Sequence, residues 1–263
     1  MSVDHLPYSD PAFAQGVAIV AGGSGGIGSQ ICLSLARSGS DILLTYHARR
    51  AEAEAVVAQI REMGCTAEAV QLDLGDSSAV AAMAAAAQLR FGRIHSVVYA
   101  AGPALHMEFI GRLEPCEWAR IINTDICGCF NLVSATLPHV KKTGGGGYVM
   151  VITSAVERVP IRDICSAAPK AAIEMLMRGL AKEEGRFGIR ANCVGPGWVD
   201  TGLGKAVIES ELSPAQLEKI IDAIPLRRLG LGQEIAGAVT FMLSSKAAYI
   251  TGQTLAVDGG LQL

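Results

Sequence analysis

Short apolar runs alternate with longer helical patterns along the chain. Apolar runs at 17–21, 41–46, 67–72, 95–100, 148–153, 190–194 and 254–257 predict seven strands. Apolar residues at helical spacing predict helices at 26–38, 51–63, 77–90, 117–139, 164–185 and 233–244, and Asp76 is placed to cap the third. Strands separated by helices of this length are typical of parallel β-α-β units. The pattern predicts an α/β fold: a single doubly wound domain of about seven parallel strands, with helices on both faces.

Two segments fall outside this alternation. Residues 1–15 contain no apolar run, so we expect an N-terminal extension that is not a signal peptide. Residues 201–225 are flanked by proline and glycine, and we expect an inserted helical pair, a candidate lid. Because no linker and no shift of composition interrupts the rest, residues 1–263 are predicted to form one domain.

Composition narrows the class of protein. The chain has 263 residues, half of them hydrophobic, and 22 Lys and Arg against 25 Asp and Glu give a net charge of −3. The apolar content excludes a disordered chain, and the slight acidity argues against a partner with a phosphate backbone. No apolar stretch reaches the length of a membrane helix. Seven cysteines lack zinc-like spacing and the histidines form no cluster. We therefore expect a cytoplasmic protein that binds no metal, no nucleic acid and no membrane.

A glycine-rich segment, Ala-Gly-Gly-Ser-Gly-Gly-Ile-Gly at 21–28, joins the first predicted strand to the first helix. Gly22, Gly26 and Gly28 let the backbone approach a pyrophosphate closely, and Ser24 and Ile27 belong to the same loop. The helix that follows offers unpaired N–H groups and a positive dipole end to a phosphate. The strand–loop–helix context favours a dinucleotide-binding Rossmann domain over a plain glycine turn.

The end of the second strand indicates which cofactor fits. An NAD site usually places an acid there for the ribose 2′-hydroxyl, whereas this chain has Arg49 and Arg50 after Tyr46 and no acid. Arginine pairs well with a 2′-phosphate, so NADP(H) is favoured over NAD(H). The alternative is that both arginines are solvated residues at a helix start. After the third strand, Asp73 and Leu74 are placed to reach the adenine, or Asp73 caps a turn.

These motifs together resemble the short-chain dehydrogenase/reductase family, and most closely its 3-oxoacyl-acyl-carrier-protein reductase branch, over about residues 14–263. The matching motifs are Gly22-x-x-x-Gly26-Ile27-Gly28, Asp73-Leu74, Ala101-Gly102, Ser154, Lys170, Asn192-Cys-Val-Gly-Pro196-Gly197 and Val257-Asp-Gly-Gly260.

The resemblance implies roles for residues beyond the glycine loop. It places Ala101-Gly102 and Pro196-Gly197 beside the cofactor, and it implies that Val199 and Thr201 meet the nicotinamide carboxamide and the phosphates. Lys170 would hold the hydroxyls of the nicotinamide ribose. The lid would shape the substrate pocket, and the subunits would form a tetramer or sometimes a dimer.

The chain departs from the family pattern at its catalytic positions. The family needs a tyrosine four residues before the lysine, where both share a helix face and the ammonium lowers the pKa of the phenol. Here Ser166 stands at that position, Asp125 stands where the family has an asparagine, and Tyr99 begins a motif that usually starts with asparagine. Serine is a far weaker acid than a phenol, so Ser166 cannot replace the tyrosine unaided.

Three interpretations of these changes stay open. The first is an NADPH-dependent reductase of an enoyl or dienoyl thioester, which resembles 2,4-dienoyl-CoA reductases. Its proton comes from Asp125 or, as the favoured route, from water held by Asp125, Lys170 and Ser154. In this interpretation Glu157 and Asp163 are weaker candidates for the acid. The second is a slow reductase of 3-oxoacyl thioesters, carried on acyl carrier protein or CoA. The third is a non-catalytic subunit that pairs with an active paralogue in a hetero-oligomer instead of a homotetramer.

Overall fold

A single parallel sheet of seven strands forms the centre of the molecule. The computed structural model describes residues 10–13, 15–103, 107–156 and 159–263. In chain order the strands are β1 (Val17–Ala21), β2 (Asp41–Tyr46), β3 (Ala67–Gln71), β4 (Ile94–Tyr99), β5 (Gly146–Val151), β6 (Ile189–Pro196) and β7 (Thr254–Val257). Across the sheet their order is β3-β2-β1-β4-β5-β6-β7, and all neighbours pair in parallel. The predicted fold class is confirmed.

Helices cover both faces of the sheet. Within the described residues they are α1 (Gly26–Arg37), α2 (Arg50–Glu62), α3 (Ser77–Phe91), α4 (Pro115–Ile122), α5 (Gly128–Lys142), α6 (Ile164–Glu184), α7 (Gly202–Glu211), α8 (Pro214–Ala223) and α9 (Gly232–Leu243). Alternate residues of β1 point to opposite faces, so that Val20 packs with α1, α2 and α9 while Ile19 packs with α3, α5 and α6. Burial on both faces explains why the strands are continuous apolar runs.

One predicted helix, 117–139, was wrong as a continuous α-helix. The structure begins it earlier, at Pro115, and interrupts it between α4 and α5 with a π-helical turn, Asn123–Cys127. Apolar spacing does not report such a turn, because a single extra residue leaves the pattern on either side intact. The remaining predicted elements agree with the observed bounds to within about two residues.

The segment 201–225 contains the expected helical pair. Helix α7 follows β6, and helix α8 begins after Ser213, whose backbone N–H donates to Gln216 Oε1 at 2.8 Å. Pro214 occupies the first turn, where its missing N–H costs nothing. The pair therefore has local stop and start signals of its own, which separate it from the alternation of the core.

The residues that the structure describes contain neither a membrane-spanning helix nor a group of metal-binding side chains. None of their helices is long and apolar enough to cross a membrane. Over the same ranges, no group of three or more His, Cys, Asp or Glu side chains could hold a metal ion. His106 and Glu157 lie outside these ranges.

His95 on β4 is a buried titratable side chain in the core. It is 2% exposed, its Nδ1 lies 2.9 Å from Ser96 Oγ, and its Nε2 lies 3.4 Å from Ser40 Oγ. Burial, assisted by the positive charge of Arg93, lowers the pKa of His95 to about 4. The neutral imidazole is therefore part of the folded state at neutral pH.

We expect His95 to make folding sensitive to acid. The unfolded imidazole has a pKa of about 6.5, so between that pH and about 4 the unfolded state binds more protons. Neutral His95 contributes its full stabilisation above a pH of about 6.5. About 3 kcal/mol of the free energy of unfolding is lost as the pH falls from about 6.5 to about 4. Urea unfolding at pH 7 and near pH 4 should show that wild type loses more stability than His95→Gln, which cannot titrate. Equal losses in the two proteins would contradict the assignment.

Candidate active site

The glycine loop lies at the carboxyl end of β1, where the strand order reverses between β1 and β4. Gly22 has φ +79°, and a Cβ there would lie 2.7 Å from the carbonyl oxygen of Ala100. A Cβ on Gly28 would lie 2.2 Å from the carbonyl oxygen of Gly22. Only glycine fits at these two positions, so the loop is tightly built and presents backbone to any ligand above it. Ligands of doubly wound sheets bind at this kind of reversal.

Helix α1 begins without a side-chain cap. Its N-cap residue is Gly25, and within the described ranges no side-chain hydrogen bond caps its first turn. Ser24 and Ile27, before and within that turn, are both partly buried. Thr201 closes over the turn, since a Cβ on Gly26 would lie 2.1 Å from Thr201 Oγ1. Unpaired N–H groups, a positive helix end and a hydroxyl form a donor set that fits a pyrophosphate.

The region after β2 separates the two arginines. Arg50 donates to Glu54 Oε1 at 2.7 Å, so it is an ordinary pair on the surface of α2. Arg49 is exposed, and within the described ranges its guanidinium has no hydrogen-bond or ion-pair partner. Of the two, Arg49 is the one without a partner in the described part of the chain.

Asp73 and Leu74 lie in the loop that follows β3. Asp73 is exposed and its Oδ1 accepts from the backbone N–H of Gly75 at 2.8 Å, so it caps a turn. The carbonyl oxygen of Leu74 accepts from Asn131 Nδ2 at 2.9 Å, which fixes the loop to α5. The turn role of Asp73 leaves its second carboxylate oxygen for other partners.

The loops after β4 and β6 lie at the same carboxyl edge of the sheet as the glycine loop. Ala101 and Gly102 follow β4, and a Cβ on Gly102 would lie 3.6 Å from Lys170 Nζ. Pro196 ends β6, and Gly197 is required because a Cβ there would lie 2.7 Å from Asp258 Cβ.

Beyond β6, Val199 is 2% exposed and forms an isolated parallel bridge with Gly230. This bridge fixes the start of the segment that carries Thr201 and α7. Thr201 reaches the glycine loop from there, so the loops that follow β1, β4 and β6 lie together at the carboxyl edge of the sheet.

The centre of the site is a buried ion pair between Asp125 and Lys170. Asp125 lies in the π-helical turn, and Lys170 lies on α6. Lys170 Nζ donates to Asp125 Oδ2, and the hydroxyl of Tyr99 donates to Asp125 Oδ1 at 2.9 Å. The Lys170 and Asp125 side chains are 10% and 1% exposed. The π turn thus presents an acid to the core, and both of its oxygens are occupied.

Tyr99 is marked in the sequence only as a departure from the family pattern, which does not predict its contact with the ion pair. It ends β4, is fully buried, and its ring centroid lies 6.0 Å from Lys170 Nζ. Burial, reinforced by the charge of Asp125, raises the pKa of Tyr99 well above its ordinary value. The phenol therefore stays protonated and acts as a donor to Asp125. The signal was the unusual residue at position 99, but nothing in the sequence pairs it with position 125.

The two serines have different surroundings. Ser154 follows β5, is 6% exposed, and its Oγ lies 3.4 Å from Gln262 Nε2. Gln262 is a residue that sequence reasoning missed. Ser166 is partly buried, one helical turn before Lys170, and among the described residues its hydroxyl has no hydrogen-bond partner. The structure brings Asp125 and Lys170 into contact, but no hydrogen bond joins them to either serine.

Asp163 precedes Ser166 by three residues at the start of α6. Burial raises the pKa of its carboxyl to about 6. Helical spacing places Asp163, Ser166 and Lys170 along one side of the helix. A minor fraction of this carboxyl is therefore protonated near neutral pH. The other weaker candidate, Glu157, lies outside the described residues.

Comparison with known proteins supports one family. Residues 21–262 match the family described as enoyl-(acyl carrier protein) reductase. A 3-oxoacyl-[acyl-carrier-protein] reductase of Staphylococcus aureus is 33% identical over 247 residues, which cover 94% of this chain and 98% of that protein. Among solved structures, a 7α-hydroxysteroid dehydrogenase in complex with NADH and 7-oxo-glycochenodeoxycholic acid aligns with a TM-score of 0.87 and 28% identity, covering 99% of this chain and 97% of that one.

A second solved structure is a blue fluorescent protein from a metagenomic library in complex with NADPH. It aligns with a TM-score of 0.84 and 30% identity, covering 94% of this chain and 97% of that one. The family match over residues 21–262 includes the glycine loop, the buried Lys170 and the loops at the carboxyl edge of the sheet. This chain belongs to the short-chain dehydrogenase/reductase family of oxidoreductases.

Proposed function

We propose that this chain is an NADP(H)-dependent oxidoreductase that reduces an enoyl or 3-oxo acyl thioester, with Ser166 in place of the usual tyrosine. The observation that carries the proposal is the position of the uncapped glycine-loop helix close to the buried Lys170: the loop after β4 lies against Gly22 at Ala100 and beside Lys170 at Gly102. The similarity to acyl-carrier-protein reductases favours a thioester carried on acyl carrier protein or CoA.

We assign the cofactor to the loops at the carboxyl edge of the sheet and to Lys170 on α6. The proposed contacts are Gly22, Ser24, Gly26, Ile27, Gly28, Arg49, Asp73, Leu74, Ala101, Gly102, Lys170, Pro196, Gly197, Val199 and Thr201. When bound, the nicotinamide cofactor supplies a hydride. The first-turn N–H groups of α1 and the Thr201 hydroxyl bind phosphate oxygens, and Lys170 binds ribose hydroxyls.

The preference for NADP(H) rests on Arg49. It is a cation without a partner in the described part of the chain, and it stands after a strand end that carries no acid. One structural neighbour was solved with NADH and the other with NADPH, so the family leaves both cofactors possible. The proposed 2′-phosphate contact is a charge-assisted hydrogen bond to the Arg49 guanidinium.

The proton follows a different route from that of the tyrosine enzymes of the family. Reduction adds one hydride and one proton, and Ser166 is too weak an acid to provide the proton. We propose that the Ser154 hydroxyl binds the substrate carbonyl and that water beside Asp125 and Lys170 relays the proton. Asp125 acts as an acceptor, because Tyr99 and Lys170 occupy its two oxygens. Asp163 is the weaker candidate for the acid.

The alternative is a catalytically impaired subunit that pairs with an active paralogue. The observation that favours it is that Tyr99, Asp125 and Lys170 satisfy one another and so form a structural network. In either case we propose an oligomer, a homotetramer or a hetero-oligomer, in the cytoplasm. Phe130 on α5 and Met175 on α6 are 52% and 62% exposed and suit a subunit contact. The helical pair at 201–225 is proposed as the lid of the substrate pocket.

Replacing Arg49 should change cofactor preference. Removal of one charge-assisted contact in Arg49→Ala should weaken NADPH binding roughly tenfold and leave NADH binding unchanged. The matched control is Arg50→Ala, whose side chain is already paired with Glu54. Fluorescence titration, with thermal shift as a second readout, measures both affinities. If Arg50→Ala loses as much NADPH affinity as Arg49→Ala, the assignment is wrong.

The reaction is tested by NADPH oxidation with crotonyl, 2,4-dienoyl and acetoacetyl thioesters. We expect oxidation with at least one of them. Ser166→Tyr should obstruct enoyl reduction if the rewired site is active, because the phenol fills the space that the relayed water needs. In an impaired subunit the same change should instead create reduction of the acetoacetyl thioester, with Ser166→Ala as the inert control. Failure of millimolar NADPH to bind, or binding without turnover of any thioester, would rule out the reductase.

The Asp125–Lys170 pair should dominate local stability. Asp125→Ala leaves a buried ammonium without its counterion, and we expect a loss of about 3–5 kcal/mol. The double variant Asp125→Ala/Lys170→Met removes both charges and should recover most of that loss. Urea unfolding of the two single variants, the double variant and wild type forms a double-mutant cycle. Additive effects would show that the two charges are not coupled.

A further inference from the structure

Residues 258–263 fold back towards Ser154. Gly259 and Gly260 have φ of +67° and +88°, a backbone conformation that glycine adopts without strain. The carbonyl oxygen of Gly259 accepts from the backbone N–H of Leu226 at 3.3 Å, which ties this turn to the end of the helical pair. The turn places the Gln262 amide beside Ser154.

The two ends of the Gln262 amide have unequal environments. Nε2 lies 3.4 Å from Ser154 Oγ, whereas Oε1 is buried and has no hydrogen-bond partner among the described residues. A buried acceptor without a partner costs free energy, and most such groups in folded proteins are satisfied. An unpaired acceptor next to Ser154, the proposed substrate-binding serine, is therefore a group whose partner a ligand can supply.

The contact also fixes what Ser154 can do. Because Gln262 Nε2 donates to Ser154 Oγ, the hydroxyl proton of Ser154 is directed elsewhere. No described residue accepts that proton. The Ser154 hydroxyl is thus left to donate to a carbonyl oxygen of the substrate, which is the role that the proposed reduction requires.

We infer that Gln262 is a positioning and specificity-determining residue: it orients Ser154 as a donor, and its Oε1 accepts a hydrogen bond from an amide N–H of the thioester arm. The inference rests on the proposed function. A simple enoyl or 3-oxo acyl chain carries no N–H or O–H donor. The arm shared by CoA and acyl carrier protein has an amide N–H two carbons from the sulfur, so the arm is the part of the substrate that can satisfy Oε1.

Two matched probes test this recognition. One is the acetoacetyl thioester of N-acetylcysteamine, which has the amide N–H. The other is the acetoacetyl thioester of 2-mercaptoethyl acetate, in which an ester oxygen replaces that N–H at nearly the same size. Calorimetry with and without NADP⁺ should show roughly tenfold tighter binding of the amide probe to wild type. In Gln262→Met, which keeps the length of the side chain, the preference should disappear.

A second variant separates the two roles of Gln262. Gln262→Glu keeps an acceptor for the N–H but cannot donate to Ser154, so the preference for the amide probe should remain while kcat falls with both probes. Leu263→Ala is the control, because that neighbouring side chain is 97% exposed and should alter neither binding nor melting temperature.

The outcomes distinguish this inference from the reductase itself. Equal binding of the two probes to wild type, binding of neither, or a preference that survives in Gln262→Met would overturn the role of Gln262. If wild type prefers the amide probe, Gln262→Met loses that preference and no NADPH is oxidised, recognition of the thioester arm by Gln262 is supported and the proposed reduction fails.

Discussion

The ion pair between Asp125 and Lys170 is the constraint on which the site depends. A buried ammonium needs a counterion, and here the counterion comes from a different helix. Tyr99 at the end of β4 holds the other carboxylate oxygen, so a strand, a π turn and α6 meet at one group. The same contact positions Lys170 beside Gly102, in the loop that follows β4. Stability of the core and geometry of the cofactor site are therefore linked through one carboxylate.

The ion pair changes the roles expected of the residues that differ from the family pattern. With a tyrosine at position 166, the lysine would serve to lower the pKa of a phenol. With Ser166 there, Lys170 faces an acid instead, and the nearest phenol, that of Tyr99, is buried and stays protonated. In the proposed reduction the proton therefore comes from water beside these groups instead of from a side chain, and Ser154 with Gln262 binds the substrate.

Much of the fold and the cofactor loop could be predicted from the sequence, because both are local. A strand buried on both faces, such as β1, is a continuous apolar run, and the glycine loop must follow it directly. The interruption before Gly128 could not be predicted, because α4 has only eight residues, too few for its apolar spacing to define a rotational phase that differs from that of α5. The contacts of Tyr99 with Asp125, and of Gln262 with Ser154, join distant parts of the chain. No spacing rule reports such pairs.

The π turn also divides one long helix into two parts with different rotational phase. An α-helix advances by about 100° for each residue, and a π turn holds one residue more than the α-helical turn it replaces. The outward side of α4 therefore does not continue as the outward side of α5. A deletion of one residue within Asn123–Cys127 would restore an ordinary helix of nearly the same length and rotate Asp125 away from Lys170. An insertion or deletion in this helix is therefore limited more by the rotation that it imposes on the side chains about the helix axis than by the room for one residue.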